Sequence, residues 1–172
     1  MRVVSVVIAC LALVLGSSPP ASAASRVVQD TEPDGTIAAK LDVESARFTN
    51  GPDAWTVRTV IRRPSRNGVD VFTKMSHAWE GYEVNALTGW RDGRKITRLW
   101  IWYNTVQRTR ISCPGLRSSW ELQPHGAVTI RIPHSCMFRG YPMDDMRVFT
   151  LSPPGAQEGA DGVASSRQLS QG

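Results

Sequence analysis

Apolar and polar residues alternate along most of the chain with a period of two. In the segment 54–63, Trp55, Val57 and Ile61 fall on one side, and charged or hydroxyl residues fall on the other. A period of two is the pattern of β-strands that bury one face. Turn-forming residues, such as those at 50–53, separate the alternating segments. The pattern therefore predicts strands rather than helices.

Eight segments carry this alternation or are rich in β-branched and aromatic residues. They are 41–49, 54–63, 69–75, 82–87, 95–107, 116–122, 127–132 and 147–151. We predict an all-β fold: a single antiparallel β-sandwich, jelly-roll-like, of eight or nine strands with one disulfide.

The two ends of the chain differ from this pattern. Arg2 precedes an apolar run over residues 3–15, and small residues at 21–23 fit a signal-peptide cleavage site. The run is shorter than the roughly 20 residues that span a bilayer, so we predict no transmembrane anchor. A lipoprotein-type cysteine at Cys10 is the alternative, but the apolar run continues beyond it. We therefore divide the chain into a signal peptide (1–23), a flexible leader (24–36), a β-sandwich domain (37–151) and a disordered tail (152–172).

Two cysteines, Cys113 and Cys136, remain after cleavage at residue 23. In an oxidising compartment such a pair is expected to form a disulfide. Pairing Leu122 with Val128 aligns the apolar faces of the two strands between the cysteines and leaves a five-residue loop. The disulfide would then clamp the open end of this hairpin, with the two cysteines one residue out of step.

The net charge of +5 does little to define the class of binding partner. Basic residues are separated by acids and turns, whereas a nucleic-acid interface needs a denser basic stripe with interleaved aromatics. We therefore predict no nucleic-acid partner. The charge suits an anionic cell wall or surface, and solvated surface charge is the simpler interpretation.

No sequence motif indicates a reaction. The chain lacks G-x-S-x-G, H-E-x-x-H and glycine-rich phosphate loops, and no C-x-x-C spacing suggests zinc. We predict no catalytic residue, no metal site and no cofactor. A secreted hydrolase with a site built from His77, Glu80 and Asp92 is one alternative. An extracellular protease inhibitor that presents Pro114-Gly115 is another.

The positions of the tryptophans indicate more about function than the search for catalytic motifs does. Trp100 and Trp102 lie two residues apart, so they share one face of their strand, and Arg98 and Asn104 lie beside them. If Leu99 faces the core, the two indoles form a flat aromatic surface with polar edges, which suits sugar rings or peptides. The alternative is a central strand that is covered on both faces.

Four segments of the chain are 41–43, 55–63, 112–116 and 132–137. Together they resemble a group of uncharacterised secreted β-sandwich proteins of actinobacterial type, which are DOMON-like and carbohydrate-binding-module-like in strand pattern. The resemblance implies a jelly-roll sandwich over residues 37–151 and carries over no activity. The segment 71–75 lacks the acidic run that this group has near its third strand, so no ion-binding role is transferred.

We therefore predict a secreted, non-catalytic binding module, extracellular or associated with the cell wall. Its expected partner is an extracellular glycan or a protein, contacted through Trp100, Trp102, Arg98 and Asn104.

Overall fold

The structure is a computed structural model that describes residues 23–31, 38–77, 81–103, 107–137, 143–152 and 161–165. These residues form eleven β-strands in two antiparallel sheets and one short 3-10 turn. The predicted all-β sandwich is confirmed, with more strands than the eight or nine expected. The strands are β1 Ala24–Gln29, β2 Val43–Asn50, β3 Ala54–Ile61, β4 Asp70–His77, β5 Tyr82–Arg91, β6 Arg94–Tyr103, β7 Gln107–Ile111, β8 Arg117–Trp120, β9 Ala127–Pro133, β10 Asp145–Leu151 and β11 Asp161–Ser165.

The smaller sheet has the strand order β1-β2-β3-β9-β8, and the larger sheet has the order β11-β10-β4-β5-β6-β7. The chain passes between the sheets after β3, after β7 and after β9. No described segment forms a helix that is long and apolar enough to cross a bilayer.

Alternating side chains of the two sheets meet in one hydrophobic core. Phe48 and Val57 contribute to it from the smaller sheet, and Met75, Val84 and Leu99 from the larger sheet. Since successive residues of a strand point to opposite sides, these buried positions also identify which residues face outward.

Two strands lie in segments that the sequence predicted to be outside the domain. The predicted flexible leader contains β1, which pairs with β2, and the predicted disordered tail contains β11, which pairs with β10. Each is an edge strand that hydrogen-bonds to one neighbour, so few apolar residues are needed to hold it. Val28 packs against the core and Val163 is 6% exposed. The sandwich therefore extends beyond residues 37–151, while the predicted signal peptide lies almost wholly outside the described residues.

The predicted strand over residues 95–107 is in fact two strands. β6 ends at Tyr103 and β7 begins at Gln107, and the two pair as neighbours in the larger sheet. A run of β-formers without a glycine or proline concealed the reversal of the chain.

Cys113 and Cys136 form the predicted disulfide, with their Cα atoms 5.4 Å apart. The strands between them pair so that Arg117 lies opposite Arg131, which would place Cys113 opposite residue 135. The cysteines are therefore one residue out of step, as predicted, but in the opposite direction, because the predicted pairing would have placed Cys113 opposite residue 137. A turn closed by the Leu116 amide on the Cys113 carbonyl, and a 3-10 turn at His134–Cys136, take up the difference.

The predicted pairing within this hairpin is wrong by two residues. Trp120, rather than Leu122, lies opposite Val128, and Leu122 is 37% exposed in the turn. A shift of two residues keeps every side chain on its expected face. The register follows contacts with the other sheet, because Trp120 packs edge-on against Trp90 and donates a 3.1 Å hydrogen bond to the Thr88 hydroxyl.

Candidate functional site

The outward side of the larger sheet carries both tryptophans that the sequence singled out. Leu99 is completely buried, and the pairing of β6 with β5 and β7 places Trp100 and Trp102 on the opposite side of the strand. Both indoles are partly exposed. We call this surface the aromatic face and define it by Phe72, Lys74, Glu83, Asn85, Leu87, Arg98, Trp100, Trp102, Arg110, Asp145, Arg147 and Phe149.

Trp100 belongs to a row of side chains that runs across four strands. Lys74, Asn85, Trp100 and Arg110 lie side by side on β4, β5, β6 and β7. Asn85 points outward and yet is only 2% exposed, because the bulky side chains of Lys74 and Trp100 flank it. The indole of Trp100 therefore lies beside a buried polar group.

A short hydrogen-bonded network holds the polar groups next to the tryptophans. Lys74 Nζ lies 2.5 Å from one carboxylate oxygen of Glu83, and the side-chain amide of Asn85 donates a 2.6 Å hydrogen bond to the other. Glu83 is also the β5 neighbour of Trp102. Because both carboxylate oxygens are engaged within the sheet, the network is fixed before any ligand arrives.

A second row extends the apolar surface away from the tryptophans. Phe149, Phe72 and Leu87 are neighbours on β10, β4 and β5, and Arg98 ends the row on β6. All four side chains are partly buried. Sequence reasoning missed the first three, although each is an apolar residue at an outward position of its strand, and that departure from alternation is the signal that could have found them.

Charged groups border the aromatic face. The Arg147 guanidinium lies 2.8 Å from the Asp145 carboxylate, and this hydrogen bond raises the pKa of Arg147 above its usual value. Within the described part of the chain, no carboxylate lies within ion-pair distance of Arg98 or Arg110. Two guanidinium groups beside the indoles are thus available to a ligand. Asn104, the remaining predicted site residue, lies outside the described residues.

The structure does not assemble the alternative hydrolase site. The ring of His77 lies 3.9 Å from a carboxylate oxygen of Asp144, at the start of the β4–β5 connection. Asp92 follows the other end of β5, a ten-residue strand, which puts it about 30 Å from His77 at 3.3 Å per residue. Glu80 lies outside the described residues. No group of three metal-ligating side chains occurs among the residues described.

Pro114 and Gly115, the segment of the inhibitor alternative, form an exposed turn beside the disulfide. Gly115 has a φ of 82°, which favours glycine.

Comparison with protein-family models, with curated proteins and with solved structures finds no match to this chain.

Proposed function

We propose that the mature chain is a secreted, non-catalytic binding module that binds a cell-wall or other extracellular glycan through the aromatic face. The observation that carries the proposal is the position of Trp100 and Trp102, which lie two residues apart and partly exposed on the side of the sheet that faces away from the core. Indole rings offer flat apolar area, and their edges remain polar enough to adjoin water.

The surroundings of the indoles favour a sugar over a purely apolar ligand. Sugar rings present an apolar side and a rim of hydroxyl groups, so they need apolar surface and hydrogen-bonding groups together. Lys74, Glu83 and Asn85 supply a fixed polar network, and the guanidinium groups of Arg98 and Arg110 supply donors. The Phe149–Phe72–Leu87 row adds apolar area for further sugar units.

The disulfide supports the proposal that the protein is secreted. Disulfides persist in oxidising environments and are rare in the cytosol, which agrees with the predicted signal peptide.

A binding panel tests the proposal. Purified mature protein is incubated with insoluble cell-wall glycan and with neutral polysaccharides, and the bound fraction is measured. Trp100→Ala and Trp102→Ala should each weaken binding about tenfold, equivalent to 1.4 kcal/mol per lost indole contact. The melting temperature of each variant is measured in parallel, because both residues are partly buried.

Tyr103→Ala is the matched control. Tyr103 is an aromatic residue of the same strand, is 51% exposed and lies on the opposite side of β6. Its replacement should leave glycan binding unchanged. Equal binding by wild type and both tryptophan variants would contradict the proposal, and turnover of a glycan that is lost in His77→Ala would replace it with a hydrolase.

A further inference from the structure

The outward side of the smaller sheet carries arginines and hydroxyl residues instead of aromatic rings. Read from β1 to β8, one row is Val27, Arg47, Arg58, Thr129 and Ser119, and the adjacent row is Ser25, Thr49, Thr56, Arg131 and Arg117. We call these ten residues the arginine face. It lies on the opposite side of the sandwich from the aromatic face.

Arginines lie directly opposite one another on two strand pairs of this face. Arg47 of β2 lies opposite Arg58 of β3, and Arg131 of β9 lies opposite Arg117 of β8. Like charges that face each other across a strand pair are destabilising. Two such pairs on adjacent strands are therefore expected to lower the stability of the fold.

Acidic side chains offset this repulsion between arginines only in part. Glu121 lies 3.3 Å from Arg58, but the two side chains are 45% and 46% exposed, so solvent screens the ion pair. Within the described ranges, no carboxylate lies at ion-pair distance from Arg47, Arg117 or Arg131. On the aromatic face, in contrast, Glu83 and Asp145 each pair with a base.

The four arginines follow a line across the sheet. Each of four adjacent strands contributes one guanidinium, in the strand order β2, β3, β9 and β8. With neighbouring strands about 4.8 Å apart, the four arginines span about 14 Å across the strands, with one positive charge per strand and a step of two residues, about 7 Å, between Arg58 and Arg131. Of the other six positions, five carry threonine or serine hydroxyls and one carries Val27.

We propose that the arginine face binds a linear anionic glycopolymer whose phosphate or sulfate groups lie along this line of guanidinium groups. Guanidinium is the side-chain group best matched to such oxyanions, because it donates two parallel hydrogen bonds. The hydroxyls of residues such as Thr49, Thr56 and Thr129 can donate to the same oxyanions or bond to sugar hydroxyls.

The absence of aromatic residues from these ten positions favours a glycopolymer over single-stranded nucleic acid. Proteins that bind single strands combine basic groups with aromatic rings on which the bases stack. The arginine face would therefore recognise the glycopolymer by its row of oxyanions alone. The binding does not depend on the aromatic face.

Binding to immobilised polymers tests the proposal. The protein is compared on dextran sulfate, on poly(glycerol phosphate) and on uncharged dextran of equal length at 50 mM NaCl. Both charged polymers should bind more tightly than dextran, and binding should fall at least tenfold at 300 mM NaCl as counterions compete. The two charged arms distinguish a sulfate-bearing from a phosphate-bearing ligand.

Arg47→Gln/Arg117→Gln removes one arginine from each like-charged pair. This variant should bind dextran sulfate at least tenfold more weakly, while its melting temperature stays equal or rises because repulsion is relieved. Arg63→Gln/Arg94→Gln, which removes two exposed arginines outside both faces, should change binding less than threefold. Trp102→Ala should also leave binding to dextran sulfate unchanged, which separates this face from the glycan site.

Three results would overturn the proposal. The first is no preference of the wild type for charged polymers over dextran. The second is an equal loss in the two double variants, which would indicate a general effect of net charge. The third is tighter binding to a single-stranded oligonucleotide of equal charge, which would assign the face to nucleic acid.

Discussion

Reduction of the disulfide should remove a calculable part of the stability of the fold. Cys113 and Cys136 are 23 residues apart, and the bond closes the segment that contains β8 and β9. In the chain-entropy relation, a loop of this length restricts the unfolded chain by about 11 cal/mol/K, or about 3.4 kcal/mol at 25 °C. The bond acts on an edge hairpin, since β8 is a four-residue strand with only β9 as its neighbour.

Urea unfolding, followed by tryptophan fluorescence with and without a reducing agent, measures this contribution. Reduction retains the sulfur atoms that pack against the core, so the comparison isolates the cross-link better than a Cys→Ala change. We expect the unfolding free energy to fall by about 3 kcal/mol. The urea dependence should steepen, because an unfolded chain without the cross-link exposes more surface.

A Cys113→Ala/Cys136→Ala variant is the control, since its stability should not respond to the reducing agent. If reduced and oxidised wild type differ by less than about 1 kcal/mol, the entropic reasoning fails for this protein. If the reducing agent greatly lowered the unfolding free energy of the control variant as well, its effect would be unrelated to the disulfide.

Three further changes test other parts of the structure. Thr59 and Thr73 bury hydroxyls that have no hydrogen-bond partner in the described part of the chain, so either Thr→Val change should stabilise the fold by about 1 kcal/mol in urea unfolding. Gly89→Ala would place a methyl group against the buried carboxylate of Asp70 and disturb its ion pair with the partly exposed Arg91, so calorimetry should show a loss of about 2 kcal/mol. Burial lowers the pKa of His134 in the folded state, so the unfolded chain takes up its proton first. Stability should therefore decline as the pH falls below about 6.5, and this part of the decline should be absent in His134→Gln.

Part of the site could be found from the sequence and part could not. The i, i+2 spacing of Trp100 and Trp102, with Leu99 between them, was enough to place both indoles on one outward face. The neighbours of those indoles come from β4, β5, β7 and β10, so their identity depends on strand order. For that reason Phe72 and Phe149 became part of the site only when β4 and β10 were seen to be adjacent.

The sequence by itself determined the class of fold, the side to which the residues of each predicted strand point and the pairing of Cys113 with Cys136. These properties follow from local geometry, since side chains alternate in any extended strand and two cysteines allow one pairing. The eight predicted segments all contain strands for this reason.

The tertiary structure alone decided strand register, the edge strands and the two outward faces. A shift of two residues in a hairpin leaves the alternation intact, so the register depends on contacts with the other sheet, such as those of Trp120 with Trp90 and of Ser118 with Thr88. β1 and β11 are held largely by hydrogen bonds to a neighbour that the sequence does not name. The line of four arginines likewise exists only because β2, β3, β9 and β8, distant in the chain, lie side by side.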